Sequence, residues 1–269
     1  MDIQCGEVAH FARLTFVILP LKTTSVRRVL MPLVHDIWHG DSKDLCKRFQ
    51  AKRRVNCVIT DPPFGVDNKS NMAKTPHGER MARRIAADKN VEMARREFDK
   101  VMDALLPATV DNADLYVFTN GKVLKEWLQI CDDLERHGFY RDAILVWAKD
   151  GPGMGDLESW GQSQEYIIFC KKGNRLSSDT RRSGVLYTPQ VRPSDLIHPH
   201  EKPEELLGGL IKHSTDPGDF LVDPFGGSGS LVRAARALDR SCVAIECDEF
   251  NHEKAIAKLH NTSGGMFDD

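Results

Sequence analysis

The sequence predicts an α/β fold: a doubly wound, mostly parallel sheet with helices on both faces. Three observations carry that expectation. Short β-branched runs alternate with amphipathic stretches from about residue 35 to residue 260. Two of the runs end in turns rich in proline or glycine, where such sheets bind ligands. The balance of 41% hydrophobic and 28% charged residues over 269 positions is that of a globular domain. A chain of this length buries a core without disulfides or a structural metal.

Residues 1–34 carry little pattern and are expected to form an N-terminal arm, leaving 35–269 as a single domain. Asp36–His39 reads as a short strand and Ser42–Gln50 as a helix. Val55-Asn-Cys-Val-Ile-Thr60 has the β-branched richness of a buried strand and stops at Asp61-Pro62-Pro63, because proline cannot donate to the ladder. Residues 67–90 are polar and basic, an expected mobile insertion. Val91–Leu106 is a helix with Val91, Ala94, Phe98, Val101, Met102 and Leu105 on one stripe. Strand Asp114–Phe118, helix Val123–His137 and strand Ala143–Ala148 follow, then a glycine-rich turn over 151–155 and strand Glu165–Cys170. The remainder reads as helix Pro203–His213, strand Phe220–Val222, helix Ser230–Leu238, strand Cys242–Ile245 and helix Phe250–His260.

Two strand ends carry chemistry. Asp223-Pro224-Phe225-Gly226-Gly227-Ser228-Gly229-Ser230 turns a strand into an amphipathic helix bearing Leu231, Ala234, Ala235 and Leu238. Glycines let the backbone approach a ligand, and the helix start offers free N–H groups. Glu246 ends the next strand, twenty residues after Gly226, where a carboxylate can accept hydrogen bonds from ribose hydroxyls. Val232 stands where a dinucleotide fingerprint needs its third glycine, which argues against NAD and for a cofactor without a pyrophosphate.

The other end is Asp61-Pro62-Pro63-Phe64. Paired prolines fix φ twice and make a stiff corner with two acceptors beside an aromatic face. Such a corner suits a planar ring bearing an exocyclic amine, which donates to the Asp61 carboxylate and a proline carbonyl while the ring stacks on Phe64.

Together these segments resemble the S-adenosylmethionine-dependent amino-methyltransferases. Asp61-Pro-Pro-Phe64 is similar to the catalytic tetrapeptide and Asp223-Pro-Phe-Gly-Gly-Ser-Gly229 to the cofactor loop. Their order, tetrapeptide first and loop last, resembles the circularly permuted β class of DNA methyltransferases. Trp38-His-Gly-Asp41 is similar to the segment whose acid lies near the cofactor adenine. The strand pair Ile144–Lys149 and Glu165–Ile168 is similar to the pair flanking the target pocket, and His200-Glu-Lys202-Pro203 to the segment packed against the methionine end.

The resemblance implies a Rossmann-like methyltransferase domain acting on the N6 amine of adenine in double-stranded DNA. Asp61, Pro62, Pro63 and Phe64 would be catalytic. Asp41, Lys202, Pro203, Asp223, Pro224, Phe225, Gly226, Gly227, Ser228, Gly229, Ser230 and Glu246 would hold the cofactor. A homodimer and a cognate restriction endonuclease are further partners that it suggests. Only about thirty residues (171–201) stand where the family usually carries its target-recognition segment, and the insertion at 67–90 can share that role. The tetrapeptide also has Phe where Tyr is common, which keeps the stacking face and loses a hydroxyl. Cytosine-N4 methylation, whose motif more often starts with Ser, and an inactive nucleic-acid-binding relative are the alternatives.

Charge fits a polyanionic partner. The net charge is −2, yet residues 43–100 hold 15 Lys/Arg against 8 Asp/Glu, and residues 171–192 hold 6 against 1. Arg83, Arg84, Arg95, Arg96, Arg181 and Arg182 are the candidate phosphate contacts. No histidine or cysteine set has metal-ligand spacing, and no Pro-Cys dipeptide is present to serve cytosine-C5 chemistry. No apolar run reaches the ~20 residues that span a bilayer, no secretory cleavage pattern follows the first apolar stretch, and unpaired cysteines suit a reducing compartment, so a cytoplasmic location is expected.

Overall fold

The computed structural model describes residues 32–51, 54–66, 90–151, 160–174 and 182–261. These build one eight-stranded sheet. In chain order the elements are β1 (His35–His39), α1 (Ser42–Leu45), β2 (Val55–Thr60), α2 (Val91–Leu105), β3 (Thr109–Thr119), α3 (Leu124–Asp132), β4 (Tyr140–Ala148), β5 (Gln164–Lys172), β6 (Val185–Tyr187), α4 (Glu204–Ser214), β7 (Phe220–Asp223), α5 (Ser230–Ala237), β8 (Ser241–Glu246) and α6 (Glu249–Asn261). The strand order is β1-β8-β7-β2-β3-β5-β4-β6. Every neighbouring pair is parallel except the two made by β5, which runs against β3 and β4.

Alternation along β2 shows why both faces need helices. Val58 joins an apolar cluster with Phe98, Met102, Trp127 and Ile130 from α2 and α3. Its neighbours Cys57 and Ile59 point the other way, to Leu207, Ile211, Leu231 and Ala235 from α4 and α5. A strand buried on both sides reads as a continuous apolar run, as this one does. The α2 stripe is as expected, with Ala94, Phe98, Val101, Met102 and Leu105 buried, and the Asn90 side chain caps it by accepting from Met93 N at 2.9 Å.

Several elements differ from the sequence reading: the expected helix Val123–His137 is α3 followed by a 3-10 turn, Asp133–His137, and β4 starts at Tyr140 rather than Ala143. The expected helix over 42–50 is α1 followed by a 3-10 turn, Cys46–Phe49. β3 starts at Thr109 rather than Asp114, because its polar first half pairs with Val55 of β2 and Lys172 of β5; pairing of this kind leaves no apolar alternation to read. The short edge strand β6 was not expected and is held by parallel pairing of Val185–Tyr187 with Val146–Ala148. Residues 1–31, most of the 67–90 insertion and most of the 151–155 turn lie outside the described residues.

The sheet order places β7 and β2 side by side at its centre, with β8 and β1 on one flank and β3 on the other. From these two strands the chain departs in opposite directions. A crevice therefore opens beyond their carboxyl ends, where Asp223 and Asp61 stand.

Candidate active site

The two tips are joined directly. Thr60 at the end of β2 donates its hydroxyl to Asp223 Oδ1 at 3.0 Å, and Phe225 N donates to the same oxygen at 3.0 Å. Both tips wall one shared open cavity. Its lining includes Asp61, Lys202 and Phe118, the glycine turn from Asp223 and Phe225 through Gly226, Gly227, Ser228 and Ser230, and His198, whose ring lies against Gly227.

The glycine loop is shaped for close approach. A Cβ at Gly226 would stand 2.8 Å from Ala244 Cβ and 3.2 Å from Ile245 N, so this position has no room for a side chain. Gly229 has φ +68° and a Cβ there would meet Ile37 Cδ1 at 2.4 Å, so both conformation and space require glycine. Glu246 at the tip of β8 braces the loop: its Oε2 accepts from Gly227 N and its Oε1 from Asp248 N, each at 2.8 Å. Burial raises the Glu246 carboxyl above its ordinary range, while these two N–H donors pull it back down. Burial likewise pushes Asp223 up to about 7, opposed by the donors from Phe225 and Thr60.

The segment before α4 closes the cavity. Its anchor is Arg233 of α5, with a side chain 1% exposed. Arg233 donates to Ser228 O at 2.6 Å, to Glu201 Oε1 at 2.7 Å and to Glu204 Oε1 at 2.6 Å. Glu201 also accepts from Lys258 at 2.8 Å and Ile197 N at 3.0 Å. One guanidinium thereby ties the glycine loop to the His198–Lys202 segment. Burial, with His200 and Lys202 nearby, pushes His198 down to about 3, so its ring is neutral at physiological pH.

On the Asp61 side, Lys202 dominates. Its ammonium is ion-paired with Asp61 Oδ2 and lies 3.4 Å from Glu165 Oε2 and 5.1 Å from the centre of the Phe118 ring. Glu165 Oε1 accepts from Lys149 at 2.5 Å. Asp61 Oδ1, by contrast, is buried and has no hydrogen-bond partner among the described residues. Burial raises the Asp61 carboxyl and the Lys202 ammonium lowers it; the two carboxylates in turn raise Lys202.

The structure brings Asp61, Lys202, Asp223, Phe225, Gly226, Gly227, Ser228 and Ser230 to the cavity wall. Pro203 lies at the N-terminal end of α4, while Pro224, whose carbonyl accepts from Ser42 Oγ at 2.5 Å, and Gly229 are buried behind the wall.

Asp41, expected near the cofactor adenine, caps α1 by accepting from Lys43 N at 2.9 Å, pairs with the Lys43 ammonium at 3.2 Å and is half exposed, next to Gly40, which donates to Glu246 O at 3.0 Å. Three other assignments meet partners that the sequence does not show. Lys202 was grouped with the cofactor residues, whereas its ammonium is held by Asp61. Phe64 was read as an open stacking face, but its ring meets Trp127 edge-on at 6.5 Å, and Pro62, Pro63 and Phe64 support the corner beside the cavity rather than lining it. Arg95 and Arg96 were read as phosphate contacts; Arg95 pairs with Asp133 at 2.5 Å and Asp99 at 3.5 Å, and Arg96 pairs with Glu92, so acids on the same surface neutralise them. Arg182 donates to Gly209 O at 3.2 Å; Arg83, Arg84 and Arg181 lie outside the described residues. The sequence reading missed Arg233. Its signal is an arginine set among the alanines of an otherwise apolar helix surface, three and five residues before which stand the loop's last residues.

A glycine cradle beside a partly satisfied acidic corner, both at the switch point of a permuted parallel sheet, defines a Rossmann-like S-adenosylmethionine-dependent methyltransferase. The model of the N6_N4_Mtase family, described as DNA methylase, matches residues 55–258, and the chain belongs to that family. It is 25% identical over 235 residues to the type II methyltransferase M2.MboI of Moraxella bovis, a match spanning 78% of this chain and 82% of that one. It is 32% identical over 144 residues to the DNA adenine methyltransferase YhdJ of Escherichia coli (strain K12), spanning 52% of this chain and 45% of that one. Among solved structures, the M1.HpyAVI–SAM complex matches with a TM-score of 0.62 at 22% identity, covering 84% of this chain and 99% of that one. The cytosine-N4-specific PvuII DNA methyltransferase matches with a TM-score of 0.67 at 14% identity, covering 87% and 89%. At these identities the structural likeness bears on the fold. No helix among the described residues is long and apolar enough to cross a membrane.

Proposed function

We propose that this protein methylates the N6 amine of adenine in double-stranded DNA, with Asp61 as the residue that receives the amine. One observation carries the reading: Asp61 Oδ1 is a buried carboxylate oxygen without a hydrogen-bond partner among the described residues, on the wall of the cavity that the glycine loop also walls. An orphaned buried acceptor is costly unless a ligand supplies the donor. Gly226, Gly227, Ser228 and Ser230 on the cavity wall, with the neutral His198 ring against Gly227, fit a nucleoside-bearing cofactor there. When bound, S-adenosylmethionine supplies a methyl group on a positively charged sulfur.

The adenine amine is a weak nucleophile because its lone pair is delocalised into the ring. Asp61 Oδ1 accepts one amine hydrogen and favours pyramidal nitrogen, and the Pro62-Pro63 corner fixes the carboxylate for this task. Asp61 then faces the positive charge that develops on the nitrogen until a proton is shed. The target base must leave the duplex to reach the cavity, at a cost of a few kcal/mol. Asp223, Pro224, Phe225, Gly226–Ser230 and Glu246 form the cofactor side, residues 35–269 the catalytic domain with 1–34 as an arm, and 67–90 and 171–201 the segments that read the target. Asp rather than Ser at position 61 and the similarity to an adenine-specific relative support adenine over cytosine-N4. A cytoplasmic location, a homodimer and a cognate restriction endonuclease belong to the same reading by resemblance.

Labelled S-adenosylmethionine and unmethylated DNA, followed by nucleoside analysis, test the proposal. N6-methyladenine is the expected product. Label in N4-methylcytosine overturns the base assignment, label only in RNA overturns the substrate, and no transfer points to an inactive relative.

A further inference from the structure

The mechanism above needs Asp61 ionised and oriented, and nothing in the Asp-Pro-Pro-Phe corner itself secures either. The groups facing its carboxylate are Lys202 and His200 from the segment before α4, Glu165 from β5, and Asp223 from β7. Of these, Lys202 is the buried cation in contact with it, with a side chain 7% exposed. Glu165 stands behind Lys202, itself held by Lys149, so the four side chains form an alternating row: Asp61, Lys202, Glu165, Lys149.

We propose that Lys202 is a positioning residue for the transfer: bridging Asp61 and Glu165, it keeps Asp61 a carboxylate, engages Oδ2 and leaves Oδ1 for the amine of the target. The proposal rests on the adenine-methylation reading and adds to it a division of labour between the two oxygens of one side chain. An isolated carboxylate in this corner, with Asp223 and Glu165 close by, is raised by burial and like charge, and on taking up a proton it turns from acceptor into donor. The ammonium opposes that. Glu165 has two effects of unequal weight on Asp61: it holds Lys202 in place, and its own negative charge raises Asp61. With Lys202 also fixed by Asp61, the like-charge effect is the one that removal of Glu165 exposes.

The signs of three substitutions follow. In Lys202→Met the acid limb of kcat/KM against pH moves up by at least one unit, and the activity lost on the acid side recovers as the pH is raised to 9. Lys202→Arg keeps the cation and holds the limb within about 0.3 units of the parent. Glu165→Gln moves the limb to lower pH. A merely structural residue would lower activity without moving the limb, and would not move it in opposite directions. Titration of the carboxyl carbon of Asp61 by NMR in aspartate-labelled protein, with Asp61→Asn as the assignment control, reads the same three shifts without turnover. Cofactor binding by equilibrium dialysis stays within about threefold in all three.

Lys202→Met losing cofactor binding while its acid limb stays put would overturn the proposal and return Lys202 to the cofactor. An unmoved limb and an unmoved Asp61 resonance would overturn it outright. Should Lys202→Met fail to fold, Lys202→Gln decides by the same two readouts, since an acid limb and an Asp61 resonance that both stay put contradict the proposal. If the parent transfers no methyl group to DNA, the functional reading fails while the NMR titration still settles Lys202.

Discussion

The tips of β2 and β8 end in carboxylates only a few residues from the same cavity, yet the two are treated differently. Glu246 has one backbone N–H on each oxygen, from Gly227 and Asp248. Asp61 has a lysine on one oxygen and, among the described residues, no hydrogen-bond donor on the other. A carboxylate whose oxygens both accept from the backbone holds a loop in shape, and changing it disturbs geometry. A carboxylate with one buried oxygen unpaired is an unfinished hydrogen-bond network, which a ligand at the cavity can complete. Asp223 lies between these cases, satisfied by Thr60 and Phe225 on Oδ1 but pushed up by burial to about 7.

The sharpest way to break this comparison is Asp61→Asn, which keeps the shape and removes the charge. Methyl transfer should fall by about 10³-fold, the scale of losing one developing-charge contact, while cofactor affinity measured by dialysis stays within about threefold. Near-normal turnover would put the chemistry elsewhere. Glu246→Gln should do the reverse. Its single carbonyl oxygen can serve one of the two N–H donors, and losing a buried hydrogen bond costs about 1–3 kcal/mol. Cofactor binding should weaken by roughly tenfold, with turnover at saturation little changed.

Asp223→Asn sharpens the intermediate case through stability. Because its carboxyl titrates higher in the folded chain than in the unfolded one, the parent is unpenalised below about pH 4. It loses stability as pH rises to about 7, and the loss is constant above. The amide escapes that loss. The variant's Tm should match the parent's near pH 4–5 and exceed it by about 5 °C at pH 8. A difference that does not change with pH would exclude Asp223 as its source. The smallest effect is expected away from the tips. Arg95→Ala with Arg96→Ala should change DNA affinity less than about twofold and leave its salt slope unaltered, because those guanidinium groups already face Asp133, Asp99 and Glu92.

Local signals and long-range partners account for what the sequence revealed. The alternation of strands with helices, the α2 stripe and the two special turns are written in neighbouring residues, and the structure follows them nearly residue for residue. Lys202 and Asp61 are 141 positions apart, so similarity to a motif could place Lys202 near a cofactor segment but could not say which group it would face. Counting basic residues over 43–100 saw Arg95 and Arg96 but not Asp133, which α3 delivers from beyond the window. An acid after a strand looks the same in sequence whether it serves a ligand or a helix start, and the cap that Asp41 gives α1 becomes visible only in the structure.

Arg233 has a consequence for how the molecule can change over time. Because a single guanidinium fastens both the donor-side turn and the stretch bearing Lys202, neither half can drift without dragging the other. Tuning toward a new acceptor base is therefore left to parts that this knot does not reach, the outer strands β4 and β6 and the segments beside them.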